Sequence, residues 1–158
     1  MPAIDIGFGA ANYSQTLTFG YTVIDEANPA NGTGILDTLE FWFNTQGTGV
    51  KAGTFSNDGS NKFTNRDVEI IGTVAAGSKQ TFGGLNCDVV LGDLIGIFYT
   101  AGLLELNDTA GTQLDFKLLD QFGAGQQTYA TAPTQLIALY GTGVTSVSIG
   151  ANLFFCHA

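Results

Sequence analysis

The sequence predicts an all-β, single-domain β-sandwich, jelly-roll-like, with about nine or ten strands. Three observations support this fold class. In several segments apolar residues recur at every second position, the period of a strand with one buried face. No segment of useful length has the 3.6-residue period of a helix. Turns rich in Gly, Asn and Asp separate the segments at uneven distances, which favours a jelly roll over regular hairpins.

The alternating segments run in order from residue 16 to the end of the chain. Residues 1–15 are small and Gly/Ala-rich, so we expect an N-terminal arm or edge strand there, and residues 16–158 form the sandwich domain. Leu39, Phe41 and Phe43 share one strand face and are predicted to point into the core. Strands are predicted over residues 16–24, 35–45, 50–56, 67–75, 79–85, 87–99 (two strands around a Gly-Asp turn), 103–107, 112–120, 136–140 and 144–155.

The segment from residue 94 to residue 99 is apolar on both faces. One face carries Leu94, Gly96 and Phe98, and the other carries Ile95, Ile97 and Tyr99. A strand without a polar face has to be covered on both sides. We therefore expect a loop, an arm or a neighbouring subunit to cover these residues, and a neighbour would indicate assembly.

Composition and charge exclude several classes of function. Charged residues make up only 12% of the chain, and the formal net charge is −9. Such a surface repels a phosphate backbone and an anionic membrane, so nucleic-acid binding and membrane docking are not expected. No apolar run reaches the length of a membrane span, and the first residues lack the pattern of a signal peptide.

Catalytic parts are sparse. The only histidine, His157, follows Cys156 directly, and neighbouring residues of a strand point to opposite faces, which does not suit a nucleophile and its base. Asp67 and Glu69 share a strand face and are the best carboxylate pair for a sugar-active enzyme, although a solvated strand end explains them better. We expect no enzyme activity, no cofactor and no metal.

The two cysteines, Cys87 and Cys156, have no spacing typical of a zinc site. In an oxidising compartment they would form a disulfide that joins a central strand to the C-terminal region. Isolated cysteines in apolar strands are more often buried thiols. Both alternatives stay open at the level of the sequence.

The best candidate for binding is Trp42, the only tryptophan of the chain. Its strand face also carries Glu40 and Asn44, so a flat apolar ring lies between groups that form hydrogen bonds. This combination is typical of a platform on which a sugar ring stacks. It is equally typical of an anchor in a protein interface, or of a ring covered by a loop or by the N-terminal arm.

Several motifs resemble a group of uncharacterised phage and metagenomic β-sandwich proteins. The motifs are DEANPAN (25–31), LEFW (39–42), IGTVAAGSKQTF (71–82), VVLGDLIGIFY (89–99) and ALYGTG (138–143). The resemblance implies a virion-associated protein: a head decoration, a fibre or a tail-associated module. The expected function is structural, with copies of itself and a major capsid or tail protein as partners. The alternative is a carbohydrate-binding module or lectin-like receptor binder that uses Trp42.

Overall fold

A computed structural model describes residues 3–146, and every regular element in that range is a strand. The all-β class is therefore confirmed. The strands are β1 Ala3–Phe8, β2 Gln15–Leu17, β3 Tyr21–Asp25, β4 Gly34–Gly59, β5 Lys62–Val74, β6 Lys79–Phe82, β7 Cys87–Val89, β8 Leu94–Phe98, β9 Ala101–Leu118, β10 Gln126–Thr128, β11 Ala130–Ile137 and β12 Leu139–Thr145.

The long strand β4 belongs to both layers of the sandwich. Its first half pairs with β12 on one side and with β6 and β7 on the other, and β1 adds to the far edge of β12. Its second half pairs with β5, β8 and β9 in the other sheet, which β3 and β11 continue. Pairing shifts between residues 43 and 50, together with the positive φ of Gly49, let the strand change sheets without ending.

The main core lies between these two sheets. Leu39, Phe41 and Phe43 are fully buried there, as predicted from their shared face. Phe43 packs edge-on against Tyr99, with 5.1 Å between the ring centroids. A second, smaller cluster covers the opposite face of the second sheet and consists of Ile24, Phe55, Phe63, Leu94 and Tyr129, with Phe122 against it.

Both faces of β8 are covered by the chain itself. Ile95, Ile97 and Tyr99 are fully buried in the main core, while Leu94 packs in the second cluster. Gly96 leaves room for a ring, because a Cβ at this position would lie 2.5 Å from Cε1 of Phe55. Phe98, at the end of the strand, is partly buried. The chain itself therefore covers most of both faces, and the strand is no longer an argument for assembly.

The strands differ from the predicted ones in number and in length. Residues 3–146 contain twelve strands instead of nine or ten. Residues 35–45 and 50–56 belong to one strand, β4, because its bulges bend the chain while pairing continues. For the same reason 103–107 and 112–120 merge into β9, where four residues bulge out opposite Thr134, whose φ is positive. The jelly-roll connectivity stays a prediction.

The ends of the described range also differ in detail. Residues 3–8 form an edge strand that pairs with β12, and Ile4 and Ile6 are fully buried in the main core. The strand predicted over 16–24 is interrupted at Gly20, whose φ is +92°, so Phe19 leaves the core and is exposed. The segment between the strands predicted over 112–120 and 136–140 contains β10 and the start of β11. Most of the strand predicted over 144–155 lies outside the described residues.

Candidate functional site

The outer face of the first sheet carries the predicted binding residues, and we call it the aromatic face. It consists of Trp42, Glu40, Lys79, Tyr140 and Asp5. Strand alternation places Trp42 and Glu40 here, because Phe41 between them points into the core. Cross-strand pairing then sets Tyr140 opposite Glu40 and Lys79 opposite Trp42. The indole of Trp42 is half-buried, so part of the ring is accessible.

Polar contacts fix the side chains around Trp42. Nζ of Lys79 lies 3.6 Å from Oε2 of Glu40. The hydroxyl of Tyr140 donates to Oδ2 of Asp5 at 3.2 Å, and burial, followed by the negative charge of Asp5, raises the pKa of Tyr140. The face thus combines two aromatic side chains with a paired cation and two carboxylates. It offers stacking and hydrogen bonds to a flat polar ligand.

Asn44, the third predicted binding residue, points away from this group. Its amide nitrogen donates to Oε1 of Glu105 in β9 at 3.2 Å. Glu105 is almost fully buried, and its other oxygen has no hydrogen-bond partner within the described part of the chain. Asn44 therefore connects β4 to β9 through this hydrogen bond. It is not part of the group around Trp42, where the alternation of the strand had placed it.

A second surface feature is an apolar groove of about 200 Å³ where β2, β3, β9 and β11 meet. Tyr21 and Phe116 pack edge-on in its wall, with 6.0 Å between the ring centroids. The remaining lining residues are Leu17, Thr18, Val23, Leu114, Ala132 and Gln135. The groove is mostly apolar and open at the protein surface.

Three exposed apolar residues border this groove, and we call them the apolar rim: Phe19, Leu118 and Leu119. Their side chains are 50%, 58% and 66% exposed. Backbone pairing holds them together, because Leu118 pairs with Tyr21 and the amide of Leu119 donates to the carbonyl of Gly20 at 2.9 Å. Single exposed apolar residues are ordinary, but a group next to an apolar groove indicates a contact surface.

The carboxylates of Asp67 and Glu69 hold a neighbouring backbone segment. Oδ2 of Asp67 accepts the amide of Asp88 at 2.8 Å, and Oε1 of Glu69 accepts the amide of Asn86 at 2.9 Å. These bonds attach the start of β7 to β5. The pair thus has a positional role within β5, where both side chains are half-buried, and does not lie at the solvated strand end that the sequence favoured.

Sequence reasoning missed three acidic residues at the end of β3 and in β9: Asp25, Glu26 and Asp115. The alternation of residues 112–120 puts Asp115 on the face opposite Leu114 and Phe116, but Asp115 is fully buried. Burial raises the pKa of Asp25 to about 6. A run of two carboxylates directly after an apolar strand was the available signal for Asp25 and Glu26, whereas nothing in the sequence around Asp115 indicates its burial.

Cys87 is fully buried, and burial raises the pKa of its thiol to about 12. Cys156 and His157 lie outside the described residues, so the disulfide stays a prediction. Among residues 3–146 no group of three or more His, Cys, Asp or Glu side chains is placed to hold a metal ion. The same range has no helix of a length and apolarity suited to crossing a bilayer.

Comparison of the chain with protein-family models gives no match, and comparison with curated proteins gives none either. The surfaces that bear on function are therefore the aromatic face, the apolar groove and the apolar rim.

Proposed function

We propose that the protein is a structural component of a virion, a head decoration, fibre or tail-associated module, that assembles with copies of itself. The observation that carries the assembly part is the apolar rim beside the groove. Three large apolar side chains at half exposure or more are costly to keep in water, and a second copy would bury them. The resemblance to phage and metagenomic proteins supports the virion part.

The low density of charge favours such contacts. Only 12% of the residues are charged, so few ions have to be desolvated when two copies of the chain meet. Leu118 and Leu119 carry no charge, and Phe116, on the same strand, continues the apolar surface into the groove. A non-enzymatic role is part of this proposal, and it is supported by the use of Asp67 and Glu69 to hold backbone amides.

Size-exclusion chromatography with light scattering tests the assembly part. We expect the wild-type protein to be an oligomer, and we expect the double variant Leu118→Ser, Leu119→Ser to be a folded monomer. Ile70→Ser is the matched control, because Ile70 is 71% exposed but lies on β5, away from the rim. A wild-type protein that stays monomeric, or a control that dissociates as fully as the double variant, contradicts the proposal.

The alternative function, carbohydrate binding, is favoured by one observation: Trp42 is half-buried on a sheet face with hydrogen-bonding neighbours. A sugar would stack on the indole and bond to Glu40, Lys79 or Asp5. On a glycan array we expect binding that Trp42→Ala abolishes and Phe19→Ala, an exposed aromatic residue of the rim, leaves unchanged. Binding that survives Trp42→Ala, or no binding by the wild type, removes this alternative.

A further inference from the structure

Two carboxyl groups, one just after β3 and one in β9, meet on one amide nitrogen. Nε2 of Gln113 donates to Oε1 of Glu26 at 3.0 Å and to Oδ1 of Asp115 at 3.2 Å. Oδ1 of Asp115 also accepts the hydroxyl of Thr131 at 3.1 Å. These four residues, which we call the carboxyl clasp, connect the end of β3 to β9 and β11.

The second oxygen of Asp115 shows how the clasp is protonated. Oδ2 is buried and has no hydrogen-bond partner among the described residues. A buried carboxylate oxygen without a donor is unfavourable, and two ionised carboxylates this close to one nitrogen repel each other. A proton on Glu26 would remove both problems, because the neutral acid can donate a hydrogen bond to the carboxylate of Asp115.

We propose that Glu26 and Asp115 share one proton, and that loss of this proton loosens the attachment of β3 and β11 to β9. The effect reaches the apolar groove, because strand pairing sets Thr131 opposite Asp115 and, one residue along, Ala132 opposite Leu114. Ala132 and Leu114 line the groove. The clasp is thus a pH-sensitive control of the shape of the groove.

The negative charge of Asp25 favours retention of the proton on Glu26, whereas a cation such as Lys117 opposes it. Asp25 is the nearest further carboxylate, but its own oxygens accept the amides of Ala27 and Ile137. Burial, followed by the negative charge of Asp25, raises the pKa of the nearby Tyr13 hydroxyl. Lys117 is two residues from Asp115 in β9 and shares its strand face. Neither β11, β8 nor the segment 27–33 contains an ionisable side chain.

Burial, then the hydrogen bond and the charge of Asp115, raise the pKa of Glu26 to about 7. In the unfolded chain a glutamate releases its proton near pH ~4.3. Between these values the folded state binds more protons than the unfolded state, so stability falls as the pH rises. The contribution of the clasp to the free energy of unfolding is fully present below pH ~4, and it is lost as the pH rises through about 7.

Carboxyl-carbon NMR titration and amide hydrogen exchange of the full chain test this inference. In the NMR titration we expect one clasp carboxyl to titrate near pH 7. In the exchange experiment, after correction for intrinsic exchange rates, the protection of the β11 amides should fall about tenfold or more between about pH 6 and about pH 8.5. Glu26→Gln keeps a donor to Asp115 but does not titrate, so β11 should stay protected at both values. Glu40→Gln is the matched control and should behave as the wild type.

A second variant keeps the test independent of any single substitution. Asp115→Asn removes the partner charge, and the titration midpoint of Glu26 should fall by about one unit or more. A Glu26 that titrates below about pH 5 in the wild type overturns the inference. So does a loss of β11 protection at high pH that persists in Glu26→Gln.

Discussion

Tyr99→Phe removes one hydroxyl from the centre of the main core and leaves the ring in place. The hydroxyl donates to the carbonyl of Leu17 at 2.6 Å and accepts the amide of Leu104 at 3.3 Å. It therefore ties the start of β9 and the end of β2 to β8. Tyr99 is fully buried, so water cannot replace the lost bonds. A phenylalanine ring keeps the edge-on contact with Phe43 at 5.1 Å.

The magnitude follows from the two backbone groups that lose a partner. A buried polar group left without a partner costs about 1–3 kcal/mol. The hydrogen bond from the amide of Leu104 is long, so its loss lies at the weak end of that range. The phenylalanine variant also no longer has to bury a hydroxyl, which offsets part of the loss. We expect a loss of about 2 kcal/mol in the free energy of unfolding. For a domain of ordinary stability this is a large fraction of the total.

Urea unfolding followed by fluorescence measures this loss, and the m-value should stay unchanged because the fold is the same. Tyr140→Phe is the matched control. Its hydroxyl bonds to Asp5 on the half-exposed aromatic face, where water can substitute, so we expect less than about 0.5 kcal/mol. Equal losses in the two variants, or a loss below about 0.5 kcal/mol for Tyr99→Phe, would refute the reasoning.

Three further changes test other parts of the fold. Gly96→Ala should lower the free energy of unfolding by about 1–3 kcal/mol, because its Cβ would lie 2.5 Å from the ring of Phe55 in a packed cluster. Arg66→Lys should cost about 1–2 kcal/mol, because Nε and one terminal nitrogen of Arg66 bind both oxygens of the buried Asp93, which a lysine cannot reproduce. Cys87 should resist alkylation near neutral pH until the protein unfolds, since it is buried and its thiol pKa is raised to about 12.

Each of these changes has its own comparison. Gly83→Ala places a methyl group in open space and should be neutral, so equal effects at the two glycines would contradict the packing argument. Lys79→Gln breaks an exposed ion pair and should cost less than about 0.5 kcal/mol, whereas a loss as large as that of Arg66→Lys would count against the bidentate contact. Alkylation of Cys87 in the native protein at the rate of an unfolded peptide, measured by mass spectrometry, would show that its burial is not maintained.

The sequence predicted correctly those core positions that follow from the alternation of side chains along a strand. Leu39, Phe41 and Phe43 were placed correctly because a strand with one covered face has a period of two. The same rule failed for Phe19, since Gly20 takes a positive φ and ends the alternation after Leu17. It failed for Asp115, which is buried and accepts hydrogen bonds from Gln113 and Thr131, because Thr131 comes from another strand and the local pattern does not contain that contact.

The candidate sites were predictable to different degrees. The outward-facing position of Trp42 and Glu40 followed from the alternation of one strand. Lys79, Tyr140 and Asp5 reach the aromatic face only through pairing with other strands. The carboxyl clasp joins residues that are about ninety positions apart, such as Glu26 and Gln113, which are 87 apart. A contact between residues so far apart in the chain leaves no local sequence pattern, so it can be recognised only in the folded structure.

The pairing of β1 with β12 has a consequence for synthesis on the ribosome. Ala3 lies opposite Val144, so the first strand of the described chain has no strand to pair with until the last described strand has been made, although it also bonds to Asn28 and Asn31. Ile4 and Ile6 are buried in the main core of the folded protein. During translation they stay exposed to solvent or are bound by a chaperone. The first sheet is therefore completed only after residues 139–145 have left the exit tunnel, and a nascent chain stalled before that point should expose this apolar strand.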